Sequence, residues 1–317
     1  MSTVTGITAK TGTTAGAHRA LFYEGTEDYA SGIVPFLREG LAAGEPALVA
    51  LPGARLGLIR DRLDDRPRGV TFVDMADLGR NPARLIPAVR QFAAAHAGRR
   101  FRAVGEPIWP GRSDAEIREA ALHEALVNTA FAGLPAIFVC AYDASGLDST
   151  VLRDARRTHP HIQQRGQHRP STEYMGSAVG WAIRTQCPAG PPSGTRSFPF
   201  GKADLPHLRR YVRQHATRAG LSGERAGDLV VAVNEVATNT VLHARAPGIL
   251  SIWQEGSALV CEVTGPGRIA DPLAGRHLPA ARPTGGHGLW LVNQVCDLTE
   301  LRSGPWGTSI RLHMHPG

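Results

Sequence analysis

Apolar residues in the first half of the chain gather into short runs, continuous at 47–51 and 136–141 and broken by Thr71 at 70–74 and by Arg102 at 101–105, with stretches of helical period between them. A strand that faces water on one side alternates apolar and polar residues. The continuous run at 136–141 does not, and so predicts a strand covered on both faces. The intervening periodicity predicts helices over 29–43, 54–63 and 82–97. Ser113-Asp114-Ala115-Glu116 forms a capping box, the Ser113 hydroxyl placed to accept the Glu116 amide while Glu116 reaches back, and it opens a helix to about Phe131. A further helix from about Asp148 ends near Thr158, ahead of Pro160. Strands joined through helices of about ten residues or more define an α/β unit, a parallel sheet with helices on both faces.

The pattern changes near the middle of the chain. Residues 160–184 carry no clear period and are attached to the first unit. Residues 185–200, with four prolines and two glycines, cannot sustain a helix or a central strand and predict a linker. Asp204 caps a helix to about Ala219 with Leu205, Leu208 and Val212 as its inner stripe, and Ser222 caps the next. That second helix contains Val-Asn-Glu-Val-Ala-Thr-Asn-Thr-Val-Leu-His at 233–243. Leu229, Val233, Val236 and Thr240 follow a core-facing spacing, while Glu235 and Asn239, four apart, share another face with Thr238 beside them and His243 one turn on. A base and a metal-binding amide are thereby brought together; the alternative is a solvated polar face. Two runs around Glu255-Gly256-Ser257 predict a hairpin, 265–286 is irregular and rich in Gly, Pro and Arg, 288–297 is an apolar helix, and 298–302 with 308–314 predicts a closing hairpin.

Composition bounds what these units can be. A chain of 317 residues accommodates two domains, and 42% hydrophobic with 20% charged residues supports two soluble cores. No apolar run approaches the roughly 18 to 20 residues of a membrane span, and the N-terminus lacks a charged-then-apolar leader, so a cytoplasmic protein with no membrane contact is expected. Residues 1–17, mostly Thr, Gly and Ala with little to bury, are expected to be a disordered tail. Cys140, Cys187, Cys261 and Cys296 show no Cys-x-x-Cys spacing, which favours buried free thiols over a disulfide or metal site. The net charge of +7 comes almost wholly from arginine. Its densest cluster, at 153–169, lacks interleaved aromatics or a reading helix, so it is read as a connector or a surface for an acidic protein, with no direct nucleic-acid contact.

Parallel sheets usually bind ligands at the carboxyl ends of their strands. Here those ends carry Asp74, Glu106, Trp109, Tyr142 and Asp143, readable either as a small-ligand pocket or as ordinary capping residues. No phosphate loop of the Gly-x-x-x-x-Gly-Lys-Ser/Thr kind is present. The segments HRALFYEGTEDY, VPFLREGLAAGEPALV, GEPIWPGRS and HEALVNTAF resemble the MEDS sensory domain over about 18–160. That resemblance implies a RecA-like fold without its phosphate loop, and small-molecule sensing or partner binding, with no catalytic set to carry over.

The second unit carries more chemistry. A glycine loop feeding a helix N-terminus, as at Gly286-His287-Gly288, is an anion site because unpaired amides and the helix dipole both favour negative charge. Taken with the Glu235/Asn239 helix, the Gly-x-Gly of Gly265 and Gly267, and Gly307-Thr308, it resembles the GHKL, or Bergerat, ATP-binding fold. The short preceding helix, GPGRIADPLAGR and GHGLWLV are similar to the anti-sigma-factor serine kinases of bacterial partner-switching systems. The resemblance implies an α+β sandwich, a helix layer on a mixed sheet, over 201–317, behind a MEDS-like domain at 18–184 and the linker at 185–200. It implies that Asn239 ligates Mg²⁺, that Glu235 takes a proton from a partner serine or from water, and that Gly286, Gly288 and Leu289 offer backbone amides to the phosphates of ATP. Gly265 and Gly267 would form the G1 turn, Thr308 would lie near the adenine, and His243 would complete the N-box or simply end its helix. The implied partners are a sigma factor and/or its antagonist, in a stress response, and relatives of this domain often form a homodimer.

One departure bears on activity. The G1 box is Asp-x-Gly, its acid accepting from the adenine amino group; here Gly265-Pro266-Gly267 stands in its place, and Val263-Thr264-Gly265 supplies no acid either. Losing a charge-assisted hydrogen bond costs on the order of 1.5 to 3 kcal/mol, roughly 10- to 150-fold in affinity. Two readings follow: an ATP-dependent protein serine kinase, or a non-catalytic partner-binding regulator with a degenerate nucleotide site. A histidine autokinase fits less well, because His215 has no second dimerisation helix beside it.

Overall fold

The structure is a computed structural model that describes residues 17–63, 67–243, 246–278 and 287–316. The first unit comprises β1 (Ala17–Tyr23), α1 (Gly25–Ala42), β2 (Ala47–Leu51), α2 (Gly53–Arg62), β3 (Val70–Asp74), α3 (Met75–Leu78), α4 (Leu85–Ala95), β4 (Phe101–Gly105), α5 (Asp114–Ala130), β5 (Ala136–Asp143), α6 (Ser149–Thr158), β6 (His161–Gln164), β7 (Gln167–Pro170) and α7 (Ala178–Thr185). Its sheet runs β3-β2-β4-β5-β1-β6-β7. Every pairing through β6 is parallel, and β7 folds back antiparallel on β6.

Both faces of the central strands are covered, which is why β2 and β5 read as continuous apolar runs. Leu21, Tyr23, Val49, Val104 and Val139 pack with Ile33 and Leu37 of α1. Leu48, Phe101, Ala103 and Phe138 pack on the other side with Leu122 and Leu126 of α5. The capping box of α5 forms, with Ser113 N donating to Glu116 Oε2 at 2.8 Å. Strand β1 is one of the elements the hydrophobic pattern does not reveal; it starts at Ala17, the last residue of the expected tail, while residues 1–16 lie outside the described part.

The second unit comprises β8 (Ser197–Phe200), α8 (Leu205–Arg218), α9 (Gly223–His243), β9 (Gly248–Glu255), β10 (Ala258–Gly265), α10 (Gly288–Val295), β11 (Leu298–Gly304) and β12 (Gly307–Met314). Its sheet runs β11-β12-β10-β9-β8, and where the resemblance implies a mixed sheet each of these pairings is antiparallel. The last residues of the expected linker form β8, whose Pro199 is tolerated because the strand lies at the sheet edge. Leu208 and Val212 of α8, Leu229, Val233 and Val236 of α9 and Val292 of α10 bury against Leu250, Cys261, Val263 and Leu312 of the sheet.

The two units meet through polar side chains. Helix α10 ends with carbonyls that have no partner further along the helix. Asn81, just after α3, donates to Asn293 O at 3.1 Å, and Arg84 donates to the carbonyls of Asn293, Gln294 and Cys296 at 2.8, 2.6 and 2.9 Å. A cation there also opposes the negative end of the helix dipole. Arg80 adds an ion pair to Asp297 at 3.0 Å. Deeper in the contact, Glu119 of α5 accepts from Arg302 of β11 at 2.5 Å and lies 3.6 Å from Arg276, all three being buried. Glu300 joins this cluster; burial pushes its carboxyl up, but the His313 hydrogen bond and the Arg302 charge prevail and bring it to about 2. No helix among the described residues is long and apolar enough to cross a membrane.

Replacing Glu119 with Ala leaves Arg276 buried without its carboxylate and Arg302 with Glu300 alone. Breaking one side of a buried pair costs on the order of 3 to 5 kcal/mol. Calorimetric melting of the full chain should show a marked loss for Glu119→Ala; an unchanged melt would mean that water replaces the carboxylate.

Candidate functional site

Helix α9 divides its residues as the spacing requires. Leu229, Val233 and Val236 are buried in the core, while Glu235 and Asn239 face a cavity of about 540 Å³. The same cavity is lined by Gly265, Gly267 and Arg268 to Asp271 after β10, by Gly288 and Leu289 at the start of α10, and by Thr308 and Ile310 of β12. The structure thus brings together Glu235, Asn239, Gly265, Gly267, Gly288, Leu289 and Thr308 from four separate stretches of chain. Gly286 lies outside the described residues, and His243 is described only as the helical end of α9, its side chain lying outside the described part.

Two glycines set this geometry. A Cβ on Gly288 would sit 2.5 Å from Glu235 Oε2 and 3.4 Å from Asn239 Nδ2, so the start of α10 passes directly over both side chains. Gly307 has φ +116, and a Cβ there would run into the Gly265 carbonyl. The tight β11–β12 turn therefore approaches the end of β10 closely enough for side chains to tether it. Thr308 Oγ1 donates to Gly267 O at 2.7 Å, Ser303 Oγ and Thr308 Oγ1 are 2.8 Å apart, and Ile269 N donates to Ser303 Oγ at 2.9 Å.

The segment 265–278, irregular in sequence, is held from both units. Arg184 of α7 donates to the carbonyls of Asp271 and Pro272 at 3.0 and 3.1 Å, Arg276 to Pro82 O at 3.2 Å, and Asn293 of α10 to Gly275 O at 2.9 Å. Val263 is buried in the core and Gly265 lines the cavity, so neither register of the G1 box supplies an acid. Asp271 and Arg268 are among the lining residues, the Asp271 carboxylate accepting from Leu273 N at 2.9 Å and pairing with His277 at 3.0 Å. Sequence reasoning passed over Ser303, Arg268 and Asp271; Ser303 was legible as the partner of Thr308 across the closing hairpin.

A second cavity, of about 440 Å³, lies between α5, α7 and this segment. Leu122, Ala125 and Leu126 of α5, with Trp181 and Arg184 of α7, form one side; Arg268, Ile269 and Ala270 form the other and line the first cavity as well. The strand ends of the first unit, by contrast, act as capping and packing residues. Glu106 accepts from Tyr23 and Tyr29 hydroxyls at 2.7 and 3.0 Å, with the Arg55 guanidinium over both rings. Asp74 caps Ala76 N at 2.8 Å, Asp143 accepts from Ser145, and Trp109 stacks with Arg112. On α8, His215 Nδ1 hydrogen-bonds the Tyr211 carbonyl of its own helix at 2.9 Å, and its ring packs on Tyr211.

A helix layer on a five-stranded antiparallel sheet, with a cavity between α9, the start of α10 and β12, is the architecture of a GHKL-like ATPase domain. The comparisons divide the chain in the same way. Residues 17–160 match the family described as MEDS, MEthanogen/methylotroph, DcmR Sensory domain, and residues 198–314 match the family described as histidine kinase-like ATPase domain. The chain carries a MEDS domain followed by a histidine kinase-like ATPase domain. Among solved structures it is similar to the RsbU and RsbW domains of Rv1364c from Mycobacterium tuberculosis, at 15% identity and a TM-score of 0.29, over 65% of this chain and 49% of that one. The chain thus spans about half the length of that protein's chain. No curated protein matches.

Because Gly288 has no room for a side chain beside Glu235, Gly288→Ala should displace the carboxylate while leaving the two cores intact. For a nucleotide held in this cavity, the expected outcome is a fall in affinity of about tenfold or more, about 1.4 kcal/mol, with little change in melting temperature. Equal affinity for the variant and the wild type would remove the Glu235–Gly288 contact from the binding surface.

Proposed function

We propose that this chain is a signal-responsive, cytoplasmic regulator of bacterial transcription that works by partner switching, using Mg·ATP to phosphorylate a serine on a partner protein. The partner would be a sigma factor's antagonist, with the sigma factor itself as a second binding partner. The observation that supports this reading is the convergence of Glu235, Asn239, Gly265, Gly267, Gly288, Leu289 and Thr308 on one cavity of about 540 Å³.

Each residue then has a task that its chemistry suits. Glu235 takes the proton from the partner's serine hydroxyl, whose oxygen attacks the γ-phosphorus as ADP leaves. The amides at the start of α10 and the Arg268 guanidinium receive the phosphates. Asn239 offers an amide oxygen to Mg²⁺, an ion that takes few protein ligands beside water and phosphate and neutralises phosphate charge when bound. Thr308 lies near the adenine, and Asp271 offers an acceptor where the G1 box has none. The MEDS domain supplies the signal, a small molecule for which the 440 Å³ cavity is the suitable place, because its wall at Arg268 to Ala270 is also the wall of the nucleotide cavity.

A second reading rests on Gly265 and the buried Val263: without a G1 acid the ATPase-like domain serves as a partner-binding surface only. Calorimetric titration of the full chain with ATP and Mg²⁺, beside Asn239→Ala, separates the two. Under the kinase reading the wild type binds, Asn239→Ala weakens binding at least tenfold, about 1.4 kcal/mol, and Glu235→Ala abolishes transfer to the antagonist. No heat at millimolar nucleotide, with partner capture intact in both variants, would leave the binding module as the function.

A further inference from the structure

Four side chains able to bind a metal meet inside the MEDS domain, away from the nucleotide cavity. His18 lies on β1, Cys140 on the neighbouring β5, Glu124 on α5, and His159 directly follows α6. All four are buried, and their donor atoms lie within 4.8 Å of one another. Glu124 Oε2 is 3.0 Å from His18 Nε2 and 3.2 Å from His159 Nε2, and Cys140 Sγ is 3.4 Å from His18 Nε2. Donors about 2.0 to 2.3 Å from a tetrahedral ion stand roughly 3.3 to 3.8 Å from each other, so only small side-chain shifts would admit one.

The proton positions on the two imidazoles define what belongs between them. His159 Nδ1 is 2.8 Å from the Ala155 carbonyl, an acceptor only, so Nδ1 carries the proton. Asn128 Nδ2 donates to the Thr158 carbonyl at 2.8 Å, which turns Asn128 Oδ1 toward His18 Nδ1 at 3.2 Å and fixes the proton there as well. A neutral ring protonated at Nδ1 leaves Nε2 as an acceptor, and both Nε2 atoms lie within 3.2 Å of Glu124 Oε2, His159 Nε2 having no hydrogen-bond partner among the described residues. In a dry interior that arrangement needs positive charge between the groups. Two imidazolium rings with centroids 4.0 Å apart would repel, so protonating both rings does not supply that charge. Glu124 Oε1 has no hydrogen-bond partner among the described residues.

We propose that His18, Glu124, Cys140 and His159 form a site for one divalent transition-metal ion of the zinc or ferrous class. Two neutral imidazoles, a carboxylate and a thiolate match the borderline-soft preference of these ions, and the two anionic ligands balance the ion's charge. Ala155 and Asn128 are the outer partners that orient the imidazoles. Binding releases the Cys140 thiol proton to solvent. The ion joins β1, β5, α5 and the end of α6, and α5 is the helix whose Glu119 holds Arg302 of the ATPase domain.

The test uses tag-free, full-length protein, stripped with a chelator and titrated with Co²⁺, whose thiolate complexes absorb in the near ultraviolet. The expected result is one equivalent bound, a thiolate charge-transfer band lost in Cys140→Ser but kept in Cys187→Ser, and a melting temperature raised by several degrees. The melting shift in the wild type needs no variant to fold. Failure to retain cobalt after desalting, or a charge-transfer band that survives Cys140→Ser, would overturn the assignment.

Discussion

The carboxyl end of α10 is where the two domains depend on each other most directly. Its amino end lies over Glu235 and Asn239, and its last carbonyls are capped by Asn81 and Arg84 of the MEDS domain. At eight residues the helix spans about 12 Å, so the capping residues of the first domain and the cavity beside Glu235 and Asn239 lie about two turns apart along one element. Asn293 adds a branch, since its carbonyl takes the cap while its side chain holds Gly275 of the segment beside the cavity.

The seam is also unusual in being ionic at depth. Glu119, Glu300, Arg276 and Arg302 are buried between the units, and such groups contribute little net stability compared with apolar packing. They do require one alignment, because a shift of a few ångströms leaves a charge unpaired in the interior. The interface is accordingly better suited to holding two domains in a defined register than to gluing them together.

How much of this the sequence discloses follows from physical range. Strands β2 and β5 declare themselves because burial on both faces suppresses polar residues. Strand β1 does not: it opens His-Arg, and the buried His18 finds its partners 106 and 122 positions away, on Glu124 and Cys140. Strands β6 and β7 are short and polar, and β8 hides among prolines. In the ATPase domain, Glu235 and Asn239 are legible from a spacing of four, and the glycines from their need for room. Asp271, Arg268 and Ser303 gain meaning only once the β11–β12 turn folds against the segment after β10, a contact that no local period encodes.

The strip Arg268-Ile269-Ala270 is a partition with a chamber on each side. Thermodynamic linkage imposes a symmetry on such a partition. If an occupant of the chamber against α5 and α7 changes the free energy of filling the other, then filling the other must change the hold on that occupant by the same factor. Whatever fills the two chambers, each occupant would set the affinity with which the other is held.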